Sequence, residues 1–323
     1  AAPKRANPMT EGRLAGVRTP YAEMPLAVKA FVEAELGDTV VEVVPRTGGM
    51  SPAVAASVRA ADGRTAFVKA VGTAVHPDTP GHFRHEVEVL QALPPARYRA
   101  GLKAAYDDGD WVALLLDDVD GRHPDWDDAS DRAAVLEVVH QQSHELTPPL
   151  PHLPTVSMRE GLQKQLARAD AAAEVELAAL PAWARSDLGA LLDLAGLTLE
   201  HHRDESFCHW DIRHDNILIR DRDQQPVLLD WGMSRRGQRW SDAVCFGLEW
   251  VESAEFDTIV DTVDLSGGEQ ADITGFLVGF GVYALMMSTQ PPHPSLPQLP
   301  GFRRSVGERC VAGVRRRLDL GLC

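Results

Sequence analysis

Two short apolar runs, each adjoining polar residues suited to bind a metal ion, constrain the fold of this chain more than any other feature. The first run, at 217–219, follows a polar loop in which Asp211 and Asn216 are five positions apart, and the second, at 227–229, ends at Asp230. Phosphoryl transfer needs a carboxylate to position a hydroxyl, and an amide oxygen with a second carboxylate to hold Mg²⁺ against nucleotide phosphates. Mg²⁺ prefers such hard oxygen ligands. We therefore predict a catalytic role for Asp211 and metal-binding roles for Asn216 and Asp230.

The same stretch resembles the catalytic loop and metal-binding strand of the aminoglycoside phosphotransferase family, relatives of the eukaryotic protein kinases. That family usually reads H-G-D-x-x-x-x-N and then I-D-W or I-D-F, and this chain has His209, Asp211, Asn216 and Asp230 at the matching positions. It departs from the pattern by placing Trp210 where glycine is usual. The resemblance implies an α+β, bilobal protein-kinase-like fold, with a small β-rich N-terminal lobe that includes one key helix and a larger, mostly helical C-terminal lobe. It also implies ATP and Mg²⁺ as cofactors.

The elements predicted upstream of this stretch occur in the order of a small nucleotide-binding lobe, which we place at residues 21–116. Hydrophobic periodicity and turn residues predict them, and the Asp62-Gly63 pair predicts a hairpin turn because both positions must accept a positive φ. Residues 1–20 are polar with several prolines and glycines, which indicates a flexible arm. The predicted elements are a helix at 24–36, strands at 40–45, 54–60 and 65–70, a helix from Thr79 to just before Pro94, and a strand at 111–116.

Residues 117–323 are predicted to form the helical lobe with the catalytic loop and the acceptor site. Residues 290–300 include five prolines and cannot form regular structure. The apolar run at 273–287 is shorter than the ~20 residues needed to span a bilayer, so we predict a buried helix there. The predicted helices lie at 131–146, 158–180, 181–202, 273–287 and 302–320.

Lys69 lies near the end of the third predicted strand, where a kinase-like fold places the lysine that neutralises the α and β phosphates of ATP. In the next helix, Glu86 is three positions after Phe83 and four before Leu90, so it shares their face, whereas Glu88 points nearly the opposite way. We predict that Glu86 pairs with Lys69, in agreement with the Glu-x-x-x-Leu spacing of the resembled family. An exposed helix carboxylate is the alternative.

Two further stretches are predicted to contact the nucleotide. Residues 48–51, Gly-Gly-Met-Ser, join two strands, and their backbone amides could lie over the phosphates because glycine permits close approach; a simple turn is the alternative. Residues 114–119 resemble the family's hinge, whose backbone groups bind the edge of adenine. The predicted nucleotide-binding residues are Gly48, Gly49, Ser51, Lys69, Glu86, Asp117 and Val119.

Three other residues near the predicted catalytic aspartate receive roles. Arg213 stands two positions after Asp211, where a fixed guanidinium could stabilise charge on the transferring group, so we predict it as catalytic; a structural pair with Asp215 is an equal alternative. The resemblance implies that His209 anchors the loop through local hydrogen bonds and that Asp242 supports it.

The predicted acceptor is a hydroxyl of a small molecule, and the resemblance favours an aminoglycoside or a related amino sugar or alcohol. The formal net charge of −15 is compatible with a cationic acceptor. The acidic stretch at 249–255, with Glu249, Glu252 and Glu255, could face such a molecule, although a solvated helix face explains it equally well. Ten aspartates occur from Asp107 to Asp131; turns and helix caps explain them slightly better than substrate attraction.

Composition excludes several classes of protein. An acidic chain lacks the basic face that nucleic-acid binding requires. Four scattered cysteines indicate a reducing compartment, and the first thirteen residues do not resemble a signal peptide, so we predict a cytoplasmic protein that binds no membrane and is a monomer or homodimer. The main alternative function is a non-catalytic, nucleotide-binding regulatory protein with a kinase fold. A protein kinase is disfavoured because the H-R-D, D-F-G and A-P-E motifs are missing.

Overall fold

The computed structural model describes residues 17–263, 265 and 267–323. An antiparallel sheet with two helices is followed by a mostly helical part, which confirms the predicted bilobal α+β fold. Most of the arm predicted at residues 1–20 lies outside the described residues, and the lobe boundaries at 21–116 and 117–323 remain predictions.

The N-terminal sheet has five antiparallel strands in the order β1-β2-β3-β5-β4. Helix α1 packs on one face through Val28, Val32 and Leu36, and helix α2 packs on the other through Phe83. Both helices are amphipathic, and their apolar faces cover the two faces of the sheet. The elements are α1 (Leu26–Leu36), β1 (Val40–Pro45), β2 (Val54–Ala60), β3 (Thr65–Gly72), α2 (Thr79–Ala92), β4 (Leu102–Asp107) and β5 (Trp111–Leu116).

Strand β4 was not predicted from the sequence. Its side chains alternate between half-buried and exposed positions, but Lys103 and two alanines give it a low β propensity. The strand forms because its backbone pairs with β5, whose Val112 and Leu114 are buried. The predicted hairpin turn is present, since Gly63 has φ 91° between β2 and β3.

The C-terminal lobe is built around helix α10 (Gly267–Met287). This helix packs against α7 (Leu188–His201) and α11 (Leu299–Asp319), where Gly275 and Gly281 permit close approach. Among the described residues, 268–287 form the one helix long and apolar enough to cross a membrane, and 72% of its most apolar window is buried inside the protein. The other helices are α3 (Ala129–Glu145), α4 (Met158–Asp170), α5 (Glu174–Leu177), α6 (Ala182–Ser186), α8 (Ser241–Gly247) and α9 (Ala254–Val260).

Two predicted helices are broken in the structure. The helix predicted at 158–180 ends at Asp170, and the one predicted at 181–202 divides into α6 and α7 around Asp187. The first break is held by Glu176, which is 3% exposed and accepts hydrogen bonds from the backbone of Ala173 and from the side chain of Arg168. This buried network outweighs the helix propensity of the Ala- and Glu-rich sequence.

Two small sheets hold the polar loop that begins at His209. Strand β8 lies between β6 and β9, and β7 pairs with β10. The two apolar runs noted in the sequence are β8 and β9, which place Asn216 and Asp230 at adjacent ends of a hairpin. The strands are β6 (Gly121–Arg122), β7 (Ser206–Cys208), β8 (Ile217–Arg220), β9 (Pro226–Leu228) and β10 (Arg235–Gly237).

Candidate active site

A cleft of about 1180 Å³ lies between the sheet and the helical lobe. One end, which we call the nucleotide end, is lined by the Gly48-Gly49 loop, Lys69 and the 117–119 segment. The other, the acceptor end, is lined by side chains of α10 and α11 and by Leu296 in the segment before α11. Asp211 lines the same cleft.

The predicted partner of Lys69 is beside it in the structure. The Lys69 Nζ donates to Glu86 Oε2 at 2.5 Å and to Asp230 Oδ1 at 3.0 Å. Burial opposes the charged ammonium, but Asp230 and Glu86 together raise the pKa of Lys69 above its usual value. Glu86 also accepts a hydrogen bond from the backbone of Trp231 at 3.2 Å, so helix α2 is joined directly to the turn that carries Asp230. A strand, a helix and a loop from both lobes therefore meet at one cation.

His209 and Asp242 hold the polar loop in place, as the resemblance implied. His209 is fully buried, accepts a bond at Nδ1 from the Asp211 N–H (3.2 Å) and donates from Nε2 to the Leu229 carbonyl (2.9 Å). Burial lowers the pKa of His209, which keeps the ring neutral for this arrangement. The Asp242 carboxylate accepts the backbone N–H groups of His209 and Trp210, each at 2.8 Å. These bonds fix the backbone that leads into Asp211.

Trp210 occupies a backbone conformation that explains why glycine is usual at its position. Its φ is 69°, in the left-handed region where a side chain costs roughly 1–2 kcal/mol. The indole packs edge-on against Phe276, with ring centroids 5.2 Å apart, and beneath the guanidinium of Arg235 at 5.7 Å. The ring lines the cleft beside Asp211.

Asp211 is held by Asn216 and has a raised pKa. Its Oδ2 accepts a hydrogen bond from the Asn216 amide at 2.8 Å, and the same amide donates to the Asp211 carbonyl at 2.9 Å. Burial raises the pKa of Asp211 to about 6, although Arg213 acts in the opposite direction. A carboxylate with a pKa just below neutrality is ionised at pH 7 and is still a competent base.

Arg213 pairs with Asp215, which was the structural alternative, and it also lies beside Asp211, so its catalytic role stays a prediction. Its Nε is 2.9 Å from Asp215 Oδ1 and 3.5 Å from Asp211 Oδ1, so one guanidinium bridges the two carboxylates. Burial opposes its charge, but Asp211 and Asp215 raise the pKa of Arg213 above its usual value. The guanidinium is held as a fixed cation beside Asp211.

Asn216 and Asp230 fit a magnesium ion bound together with nucleotide phosphates. Asn216 uses its amide N–H groups on Asp211, which leaves the amide oxygen to face away from it. Burial would raise the pKa of Asp230, but Lys69 outweighs this and lowers it to about 2, so the carboxylate stays ionised. Across the described chain, no three His, Cys, Asp or Glu side chains form a metal site by themselves. A metal ion here would need phosphate oxygens as further ligands, as is usual for Mg²⁺.

The Gly48-Gly49 loop is held over the nucleotide end by a residue that the sequence did not reveal. Both glycines have positive φ, 119° and 70°. The Arg18 guanidinium donates to the Gly48 carbonyl. Burial lowers the pKa of Arg18, while the charges of Asp230 and Asp215 oppose that shift. Arg18 comes from the segment predicted as a flexible arm, where an isolated arginine carries no motif. Ser51 of the same loop accepts a bond from the Ala53 backbone at 3.2 Å.

The 117–119 segment lines the nucleotide end with backbone rather than side chains. The Asp117 carboxylate turns back to Lys103 (2.8 Å) and to the Gly101 N–H (3.0 Å). Within the described part of the chain, the Asp117 carbonyl and the Val119 N–H have no hydrogen-bond partner. An acceptor and a donor two residues apart match the edge of an adenine base.

The acidic residues predicted as substrate ligands mostly have other partners. Glu252 pairs with Arg309 (3.5 Å) and Glu255 with Arg132 (3.4 Å), and Trp250 packs against Trp126 and Phe246. Only Glu249 of this group lines the cleft. Several of the 107–131 aspartates pair with arginines or cap turns: Asp107 with Arg84, Asp131 with Arg122, and Asp108 and Asp128 with nearby backbone.

Comparison with known proteins agrees with this geometry. The model of the phosphotransferase enzyme family matches residues 42–271, more than half of the chain. No curated protein sequence matches the chain. A solved aminoglycoside phosphotransferase, APH(4)-Ia in ternary complex with ADP and hygromycin B, superposes with a TM-score of 0.60 at 14% identity, over 90% of this chain and 98% of that one. Choline kinase LicA from Streptococcus pneumoniae gives 0.59 at 14%, over 90% and 98%. An aminoglycoside phosphotransferase from Alicyclobacillus acidocaldarius gives 0.51 at 13%, over 87% and 93%. These structural likenesses support the fold.

Proposed function

Since this chain belongs to the phosphotransferase enzyme family, we propose that it transfers the γ-phosphate of ATP, with Mg²⁺, to a hydroxyl group of a small molecule. The observation that carries the proposal is that Lys69 donates hydrogen bonds to both Glu86 and Asp230. In the same cleft, Asn216 donates a hydrogen bond to Asp211. A fixed cation, a metal-binding carboxylate and amide, and a proton-accepting carboxylate are the groups that phosphoryl transfer requires.

Each residue has a defined task in this reaction. Lys69 would neutralise the α and β phosphates, and Asn216 and Asp230 would hold Mg²⁺, which would supply positive charge against the nucleotide phosphates. Asp211 orients the acceptor hydroxyl and accepts its proton as the new oxygen–phosphorus bond forms and ADP leaves. The Arg213 guanidinium, fixed 3.5 Å from Asp211, stabilises charge on the transferring group. Positioning contributes more than base strength because the transition state is loose.

The acceptor that the family resemblance favours is an aminoglycoside or a related amino sugar or alcohol. Two structures of similar fold support it: one holds hygromycin B and the other is a choline kinase. We also propose a cytoplasmic location, which fits four free thiols, of which Cys208, Cys245 and Cys310 are buried. A purely regulatory role has no specific observation in its favour, because every charged group required for transfer is present.

A phosphotransfer assay with purified protein, ATP and Mg²⁺ tests the proposal. We expect ADP release that depends on both Mg²⁺ and an added hydroxyl acceptor. Asp211→Asn removes the proton acceptor while keeping the shape of the side chain, and should lower kcat by about 10³-fold. Asp221→Asn is the matched control, since Asp221 is exposed and outside the cleft. Turnover that survives Asp211→Asn, in a variant whose circular dichroism is unchanged, would refute the assigned role.

A further inference from the structure

We infer that the acceptor end of the cleft takes a hydroxyl compound with a broad apolar face that is neutral or anionic, rather than a polycationic amino sugar. The inference rests on the proposed function, because it treats the pocket beside Asp211 as the place of the acceptor. It departs from the aminoglycoside acceptor that the family resemblance favours, and three features of the described residues carry it.

The first feature is the chemistry of the lining. The acceptor end presents aromatic and aliphatic side chains that pack on one another and remain partly accessible to the cleft. Phe276 stacks on Phe280 with ring centroids 5.8 Å apart, and Trp210 meets Phe276 edge-on at 5.2 Å. A surface of this kind binds apolar groups and gives few partners to a ligand covered with hydroxyl and ammonium groups. The half-buried members of the lining are Trp210, Leu248, Phe280, Leu296, Leu299 and Phe302.

The second feature is the sign of the charge. Glu249 is the one carboxylate that α8 to α11 and their connections bring to the described lining, whereas Arg303 and Arg309 both reach it. Arg309 is held by the Leu248 carbonyl at 2.9 Å, and Arg303 forms no ion pair with any described residue. A polycation placed against this wall would meet the Arg303 guanidinium and an Arg309 that Glu252 pairs with, while the Asp211 and Asp215 carboxylates that line the cleft are both bridged by Arg213. Each like-charge approach in a cleft of lowered dielectric opposes binding.

The third feature is the strained residue at the boundary of the two ends. Trp210 keeps φ 69° although glycine would adopt this conformation without strain. The surrounding bonds to Asp242 maintain the conformation, and the indole is thereby directed into the cleft lining next to Asp211. Strain of this kind persists where the side chain contributes to a site. A large ring at this point favours an acceptor that stacks or packs beside its reacting hydroxyl.

The segment before α11 closes the same pocket from above. Leu296 of this segment and Leu299, the first residue of α11, line a small pocket together with Met50 of the Gly48-Gly49 loop. His293 of this segment also packs edge-on against His76 of the N-terminal lobe, with centroids 4.6 Å apart. An apolar cover over an apolar floor excludes water, and this strengthens binding of an apolar acceptor more than of a hydrated one.

A binding experiment tests the inference without requiring the true acceptor. The fluorescent anion 1-anilinonaphthalene-8-sulfonate is titrated into the full chain in the presence of saturating Mg²⁺ and AMP-PNP, which keeps it out of the nucleotide end. We expect saturable binding that Phe280→Ser weakens by at least 10-fold and that Arg303→Glu weakens by at least 3-fold. Phe31→Ser is the matched control, since Phe31 is equally half-buried but packs on Tyr106 in the N-terminal lobe. Binding unchanged in both cleft variants would overturn the inference.

Competition and transfer assays then separate this inference from the proposed function. A macrolide lactone, as a largely apolar polyhydroxylated probe, should displace the dye at micromolar concentration, and hygromycin B should not displace it at 100-fold higher concentration. Phosphate transfer to hygromycin B with none to the lactone or to hydroxylated aromatics would refute the inference and keep the proposed function. Failure to bind Mg²⁺–ATP would instead refute the proposed function, while the dye results would still decide the chemistry of the pocket.

Discussion

The two ends of the cleft are built on opposite principles. At the nucleotide end, Lys69 is paired with the buried Glu86 and with the partly exposed Asp230 before any ligand arrives. At the acceptor end, aromatic and aliphatic side chains such as Phe276 and Phe280 form a surface with few fixed partners. The first arrangement binds a ligand whose charge and shape are always the same. The second takes its specificity from the shape of an apolar wall, which changes with every substitution on it.

The difference also appears in how each end is assembled. The catalytic loop is held by backbone bonds to His209 and Asp242, so its geometry follows from a short stretch of sequence. The acceptor wall is assembled from α10, α11 and the segment between them, and its shape depends on how the two helices pack on each other. Under the proposed function, different parts of the chain set the reaction chemistry and the choice of acceptor, so we expect that each can be altered without the other.

We expect the largest difference in how pH affects the phosphate-transfer rate and the affinity for the nucleotide. Because burial raises the pKa of Asp211 to about 6, this carboxylate becomes protonated as the pH falls through 6 and can no longer accept the hydroxyl proton. We expect kcat to fall by about 10-fold for each pH unit below 6, so that about a tenth of the plateau rate is left at pH 5. At the nucleotide end, Asp230 has a pKa of about 2 and Lys69 a raised one, so neither changes charge between pH 5 and 8.

The measurement is a pH–rate profile at saturating substrates, with Mg²⁺–ADP affinity measured over the same range by titration calorimetry. A rate that stays level down to pH 5 would show that proton acceptance by Asp211 does not limit turnover. A parallel loss of nucleotide affinity would show that the two ends titrate together, against the separation argued above.

Arg18 provides the next test, at the nucleotide end alone. Its guanidinium donates to the Gly48 carbonyl, and the charges of Asp230 and Asp215 act to raise its pKa. Arg18 therefore lies beside the proposed binding place of the ATP phosphates. We expect Arg18→Ala to raise the KM for ATP by about 10-fold, the loss of one charge-assisted hydrogen bond of roughly 1.5 kcal/mol, with little change in acceptor KM. Arg59→Ala is the matched control, since Arg59 pairs with Glu42 on the sheet surface.

The opposite result would also be informative. If Arg18→Ala lowered the KM for ATP, the Arg18 side chain would compete with ATP for the nucleotide end. That end would then not be preassembled as described. Initial rates at varied ATP and fixed acceptor distinguish the two outcomes directly.

The sequence predicts the residues of the nucleotide end and the catalytic loop better than those of the acceptor end. The spacing of Asp211, Asn216 and Asp230 and the helical phase of Glu86 are local properties, and together with the family resemblance they indicated one site; the structure brings these side chains together, while their roles stay predictions. Strand β4 could not be predicted because its stability comes from pairing with β5 rather than from its own residues. Arg18 and the aromatic wall could not be predicted either, since no spacing joins residues that meet only after two lobes have packed. Phe276 and Phe280 are four positions apart on α10. This spacing predicts that they share one face of the helix, but it does not predict that the face lines a cleft.

Trp210 gives the smallest expected effect, at the boundary between the two ends. Trp210→Gly relieves the positive φ but loses the contacts with Phe276 and Arg235, whereas Trp210→Ala loses the same contacts and keeps the strained backbone. We expect the glycine variant to be more stable than the alanine variant by about 1 kcal/mol in urea unfolding. Both should raise the acceptor KM several-fold and leave the ATP KM unchanged. Equal stability of the two variants would show that the backbone here carries no strain, and a shift in ATP KM would place the indole at the nucleotide end.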